Sequence, residues 1–298
     1  MQWVRDYLPQ PQTARFYRTA LIITVCGNIL LAASKAIVAY LSGSVALFAD
    51  AANSISDVVY SLFMVLGLWM AQRPPDDSHP QGHGRFEPLV GLVVTASMTF
   101  AGYEAARASI ERFINGGIAI EPGLPLLVLI FSAVVKTGMY FSIIKIARKV
   151  NSPTLRTTAR DNLSDVLTSS AALIGAVGST FIHPLTDPIA GILVSAWIFR
   201  NAFIAGRENL GFLTGAGASD ELRQQIVDCA KSVTGVHDVH FASVEYVGPK
   251  LVADLHINLA GELTLDQAHE ISDKVIAAVE ALPDVDRAYI HLEPVGWK

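Results

Sequence analysis

The sequence predicts an α-helical membrane protein, with six transmembrane helices followed by a small cytoplasmic α+β domain of αββαβ order, close to ferredoxin-like. Three observations predict it. Apolar stretches long enough to cross a bilayer, about 20 residues each, recur along the first two-thirds of the 298 residues. Only 16% of the residues are charged and 51% are hydrophobic, with a mean hydropathy of +0.40, whereas a soluble domain carries roughly 25% charged residues. At about Gly211 the pattern changes to short alternating elements.

The expected spans are 19–41, 44–71, 88–113, 123–147, 155–181 and 186–206. A soluble helical core can mimic one or two such stretches, but not six in succession. The second and fifth are the weakest by hydropathy, because each carries acidic residues. The polar segment up to Tyr17 carries Arg5, Arg15 and Arg18 and lacks a short apolar run ending in a small-residue cleavage site, so no secretory signal is expected.

Basic residues set the orientation. Arg73 and Arg85 follow the second span, Lys145, Arg148, Lys149, Arg156 and Arg160 surround the junction of the fourth and fifth, and Arg200 and Arg207 end the sixth. The opposite loops, at 42–44, 115–122 and 182–187, are short and nearly free of bases. Both termini are therefore expected in the cytoplasm. Compactness and the lack of targeting segments point to a bacterial inner membrane.

Charge divides the chain into a membrane domain, 1–212, and a cytoplasmic domain, 213–298. The first carries 16 basic and 13 acidic side chains and the second 6 and 14, a net +3 and −8 within the −5 of the whole. An acidic domain attracts cations and repels a polyanion, which excludes nucleic acid as a partner. Cys26 and Cys229 stand apart and suggest neither a disulfide framework nor a thiolate metal site.

Within the spans, two pairs of oxygen-bearing residues stand out: Asn53-x-x-x-Asp57 and Asp161-x-x-x-Asp165. A spacing of four puts both members of a pair on one helical face, one turn apart. Carboxylates at bilayer depth are costly and mark an ion or proton pathway. Three acids at one depth repel unless a cation or protons occupy them. Four such side chains from two helices make a metal cage, which points to a transporter. Asn53 has the alternative of a hydrogen bond across helices. Asp50 either supports the cage or packs between helices, and Lys35 and Lys136 either pair with an acid or snorkel to an interface.

Between the second and third spans, His79 and His83, with Asp76 or Asp77, have the short-loop spacing of a metal clip, and Pro80 argues against a regular helix there. The alternative is a pair of exposed loop histidines.

In the tail, 219–233 reads as an amphipathic helix with Asp220 and Glu221 in its first turn. Segments 241–247 and 251–260 alternate as strands about a Gly248-Pro249 turn, Thr264 opens a capping box with Gln267 for a helix to about Ala281, and 288–293 closes as a strand. Five of the eight histidines lie here: His237, His240, His256, His269 and His291. With Asp238 and Glu293 they offer zinc-type ligands, against the alternative of scattered surface histidines. His256 and His291 share the strand face away from the core, and His240 is expected to be a passenger.

These residues together resemble the cation diffusion facilitator family. Asn28-x6-Lys35, Ser42-Gly43-Ser44 and the run from Ala49 to Asp57 look like its first two helices, Asp161-Asn162-Leu163-Ser164-Asp165 like its fifth, and 75–85 like its cytoplasmic histidine loop. His237, His256, His269 and His291 fall where the tail of its dimeric zinc exporters carries ligands. The resemblance covers Arg18 to Pro294. It implies a homodimer of six-helix subunits in membrane lipid, exporting divalent metal in exchange for protons through the pairs on helices two and five.

The quartet departs from the family's zinc exporters, which carry histidine where this chain has Asp161. One amide and three carboxylates suit Mn²⁺, then Fe²⁺, better than Zn²⁺, for which imidazole is the common partner. The pattern resembles the manganese-exporting branch. A Zn²⁺ or Co²⁺ exporter is the alternative within the family, and a non-transporting membrane metal sensor or scaffold is the alternative outside transport. A membrane metalloenzyme lacks support, since no nucleophile–base pair or HExxH motif is present and His183 stands alone. No prosthetic group is expected.

Overall fold

The computed structural model describes residues 11–42, 45–116, 124–282 and 284–296. The chain forms two compact units, Met1–Leu210 and Gly211–Lys298.

The first unit is a bundle of six long helices: α1 (Pro11–Ser42), α2 (Val45–Ala71), α3 (Phe86–Ile114), α4 (Leu124–Lys149), α5 (Pro153–Phe181) and α6 (Thr186–Thr214), the last turn of which passes the unit boundary. Each overlays one of the six expected stretches. Among the described residues α1, α2, α3, α4 and α6 contain segments long and apolar enough to cross a membrane. The first half of α5 carries Arg156, Arg160, Asp161 and Asp165, and its polarity is used inside the bundle: Thr154, Thr157, Thr158, Asn162 and Ser164 are all buried. The outer surface is apolar instead, with Ile37, Phe100, Phe141 and Leu193 exposed, as suits a lipid boundary.

Small residues let the helices approach. A Cβ added to Gly91 of α3 would lie 1.9 Å from Asn209 Oδ1 of α6, and one on Gly191 of α6 would lie 2.1 Å from Ser109 Oγ of α3. The ends bearing the basic loops are tied by polar contacts. Glu87, buried in the first turn of α3, accepts from the Tyr17 hydroxyl of α1 at 2.7 Å and from the Ser152 hydroxyl. Ser152 also caps α5, accepting from the Leu155 N–H at 3.0 Å with Pro153 in the first turn. Arg156 and Arg160, expected only as orientation markers, donate to the two oxygens of Glu208 on α6.

The second unit follows the predicted αββαβ order: α7 (Asp220–Lys231), β1 (Asp238–Val247), β2 (Lys250–Leu259), α8 (Leu265–Glu280) and β3 (Val285–Pro294). The three described strands form one mixed sheet, β1 antiparallel to β2 and β2 parallel to β3. A two-residue turn joins β1 to β2, and Gly248 there has φ +66°, as hairpin turns of the primed type require. The alternation of β2 holds: Leu251, Ala253, Leu255 and Ile257 are fully buried against Ile226 of α7 and Val275 and Val279 of α8. The Thr264–Gln267 capping box forms as the sequence suggests.

Candidate metal centre

Asp57 lies 14 residues from the Ala71 end of α2, Lys136 lies 13 from the Lys149 end of α4, and Asp165 lies 12 from the Pro153 start of α5. At 1.5 Å per residue all three sit about 18–21 Å into the bundle from the ends bearing the basic loops. They meet there. The Lys136 ammonium is 2.7 Å from Asp165 Oδ2 and 3.3 Å from Asp57 Oδ2, and its side chain is only 6% exposed. Asp161, one turn along α5, adds its field at Lys136 and lines a cleft with Asp57, Asn28, Tyr60, Ser61 and Thr158. Of the quartet singled out in the sequence, the structure thus brings Asp57, Asp161 and Asp165 together. The side chains of Asn53 and Asp50 lie outside the described residues.

The backbone at Asp57 is held from α1. Asn28 donates to Ser61 Oγ at 2.7 Å, and Ser61 donates to the Asp57 carbonyl at 2.7 Å. The Asn28 Oδ1 is buried without a hydrogen-bond partner, so the cleft keeps an oxygen acceptor to offer a cation.

The loop before α3 forms a second cluster. Asp76, His79 and His83 bring three ligand atoms within 4.8 Å of one another. Asp76 Oδ1 accepts from the N–H groups of His79 and Ser78, at 2.7 and 3.0 Å, and the His79 bond above all holds its carboxyl below the usual range. His83 Nδ1 faces the Pro74 carbonyl at 3.1 Å. A proton on Nδ1 leaves Nε2, 3.4 Å from Asp76 Oδ2, as the donor atom. The expected choice between Asp76 and Asp77 falls to Asp76.

The tail holds a third cluster. His240, expected as a passenger, groups with His256 and Glu293, their ligand atoms within 4.8 Å. His240 Nε2 is 2.9 Å from Glu293 Oε2, while its Nδ1 is 3.0 Å from Asn258 Oδ1. A β-bulge between Val239 and Phe241 takes His240 out of the strict alternation of β1. His256 and His291 lie side by side in register, ring centroids 4.8 Å apart, and His291 Nε2 is 3.4 Å from Glu293 Oε1. Asp238 is instead bound to Lys231 at 2.8 Å. His237 is exposed before β1, and exposed His269 faces Asp273 on its own helix at 3.7 Å, so neither joins the cluster within this chain.

Sequence reasoning left Lys136 without a partner and did not single out Asn258. A lysine in mid-span was the available signal for the first. For the second, the signal was a polar residue two positions after His256 on the same outward alternation of β2.

Comparison with known proteins follows the same division. The cation efflux transmembrane domain matches residues 21–214, and the cation efflux protein cytoplasmic domain matches residues 218–295. An uncharacterized transporter of Methanocaldococcus jannaschii is 34% identical over 92% of this chain and 97% of its own length. The magnetosome protein MamM of Magnetospirillum gryphiswaldense is 30% identical over 85% of this chain and 80% of its own. The manganese efflux system protein MneS of Bacillus subtilis is 24% identical over 93% and 95%. The two matches between them cover nearly the whole chain, in the order of the helical bundle and the sheet domain, and the chain belongs to the cation efflux, or cation diffusion facilitator, family of multi-pass membrane transporters of divalent metal cations.

Proposed function

We propose that this protein exports Mn²⁺ from the cytoplasm in exchange for protons, by alternating access around Asn53, Asp57, Asp161 and Asp165. The observation that carries the reading is the donor chemistry: one amide and three carboxylates from α2 and α5, with no imidazole or thiolate. Hard oxygen donors favour Mn²⁺, with Fe²⁺ next. The similarity to a manganese efflux protein supports the same choice. A Zn²⁺ or Co²⁺ exporter is the second reading, favoured by the imidazoles of His79, His83, His240 and His256, since imidazole suits those ions.

In this reading α1–α6 are six spans of an inner-membrane subunit, with both termini in the cytoplasm. Residues 1–212 carry transport, and 213–298 form a ferredoxin-like metal-binding domain that pairs two subunits as a homodimer. Metal from the cytoplasm displaces protons from the carboxylates, the helices rock, and protons reload the site from outside. With no histidine in the quartet, proton coupling rests on the three acids. The cluster Asp76, His79 and His83 and the cluster of His240, His256, His291 and Glu293, with His237 and His269 offered to a partner subunit, report cytoplasmic metal to the bundle.

The test is metal-driven flux in proteoliposomes with Mn²⁺, Fe²⁺ and Zn²⁺. Mn²⁺ flux above Zn²⁺ flux, abolished in Asp57→Asn and in Asp165→Asn, is the expected result. Dominant Zn²⁺ flux overturns the choice of metal, and Mn²⁺ flux indifferent to both variants overturns the site. Metal binding without flux of any ion leaves a sensor or scaffold.

A further inference from the structure

Lys136 does more in this geometry than neutralise a buried acid. It comes from α4, outside the two helices that carry the quartet, and it reaches one oxygen of each: Asp165 Oδ2 at 2.7 Å and Asp57 Oδ2 at 3.3 Å. A metal that bound Asp57 and Asp165 together would link α2 to α5 through the same two carboxylates. A divalent cation stands about 2.0–2.2 Å from a carboxylate oxygen. An ammonium and a divalent metal held by the same two carboxylates repel strongly in a buried site. Among the described residues, the further charges around Lys136 are Asp161 on α5 and, acting on Asp57, Lys35 on α1.

We propose that the Lys136 ammonium is a tethered competitor of the transported metal, leaving Asp57 and Asp165 when the metal binds and returning to them to expel it. The inference rests on the reading of Asp57, Asp161 and Asp165 as the transport site. Lysine fits the role: it is a compact point charge on a flexible four-carbon stem, so the charge withdraws without any movement of α4. The exchange makes and breaks no covalent bond, and the lysine keeps its charge throughout. Its effect is on affinity. Three carboxylates around a divalent ion would hold it too firmly for release, and a competing ammonium weakens that hold on both sides of the membrane.

The experiment measures Mn²⁺ binding to the full chain in detergent, and Mn²⁺ flux in proteoliposomes, for wild type, Lys136→Met, Lys136→Arg and Asp161→Asn. Methionine keeps an unbranched side chain of nearly the same length without the charge. In Lys136→Met, KM and the dissociation constant fall by roughly tenfold or more, while kcat falls because release slows. Lys136→Arg restores binding toward the wild-type value. A lysine that only holds the bundle together would lower stability and leave affinity alone, so an affinity within about twofold of wild type in Lys136→Met overturns the proposal. Where Lys136→Met does not fold, amine labelling of wild-type Lys136 replaces it. Labelling that rises with added Mn²⁺ supports the exchange, and labelling that is unchanged or falls overturns it. Binding that ignores Asp161→Asn means that the metal sits elsewhere and the site reading fails. Binding weakened by Asp161→Asn but indifferent to Lys136→Met defeats the competitor alone.

Discussion

The Tyr17 hydroxyl on α1 donates to Glu87 Oε2 on α3 at 2.7 Å, while the other oxygen of that carboxylate accepts from Ser152 at the start of α5. One buried carboxylate therefore joins three helices. Tyr17→Phe keeps the ring and removes the donor, leaving a buried acceptor short of a partner, which costs about 1–3 kcal/mol. Thermal unfolding in detergent should fall for Tyr17→Phe and further for Ser152→Ala, which also loses the cap of α5 at about 1 kcal/mol. Unchanged melting in both variants would mean that the carboxylate is not a structural tie.

At Gly91 the contact is steric. Its absent Cβ leaves room for Asn209, whose amide donates to Thr157 Oγ1 of α5 at 2.8 Å. Gly91→Ala must push Asn209 aside and break that bond, a strain of about 1–3 kcal/mol. Asn209→Ala opens the space again. The double variant should therefore be less destabilised than the sum of the two single ones, a coupling of about 0.5–3 kcal/mol in a double-mutant cycle.

In the proposed transport site, metal selectivity rests on Asp161. Asp161→His adds an imidazole to an oxygen set, and the ratio of Zn²⁺ to Mn²⁺ flux in proteoliposomes should rise by roughly tenfold or more, since a changed ligand environment alters metal affinity on that scale. A ratio unmoved by the substitution would show that softness of the donors does not choose the metal.

The tail domain carries its own pH dependence. Hydrogen bonds from Lys274 to Glu270 and from Lys231 to Asp238 hold both carboxyls below their ordinary range. A depressed folded value means stability that is present above the unfolded value, about 4, and lost as pH falls through the folded one. Hydrogen exchange of the 213–298 segment in the full chain should lose protection below about pH 4. In the combined Lys231→Met and Lys274→Met variant the loss should be shallower. Both pairs are exposed, so the effect is small.

The acid pairs were legible because a spacing of four stands out against an apolar background, and the core of β2 because Leu251, Ala253, Leu255 and Ile257 alternate without a break. Lys136 was visible but its partners were not. Which way it faces is decided by how Met139, Ile143 and Ala147 of α4 pack with Tyr17 and Ala20 of α1 and Leu155 and Ala159 of α5, and helix rotation between non-adjacent segments has no local signature. Glu87 passed unnoticed for a related reason. An acid in the first turn of a helix reads as an ordinary complement to the dipole, and only the arrival of Tyr17 and Ser152 makes it a junction. His240 stood outside the expected strand 241–247, and composition does not announce the bulge beside it.

The bulge gives the tail cluster its most direct test. His240 Nδ1 lies 3.0 Å from Asn258 Oδ1, and Asn258 Nδ2 donates to the Pro294 carbonyl at 3.1 Å. That second bond fixes the amide, so its oxygen accepts and the His240 proton sits on Nδ1. Nε2 is left facing Glu293 Oε2 at 2.9 Å, with His256 on the other carboxylate oxygen at 3.5 Å. The three donors suit Zn²⁺ or a similar ion. His240→Ala should weaken metal binding by the tail, read with the full chain by titration calorimetry, by tenfold or more, and Asn258→Ala should weaken it about 10–100-fold by releasing the ring. If Asn258→Ala leaves affinity intact while His240→Ala does not, the ring is oriented by the metal rather than by the amide. If neither variant changes binding, the metal of the tail is held by His256, His291 and Glu293 without the bulge, and His240 is the passenger that its sequence position suggested.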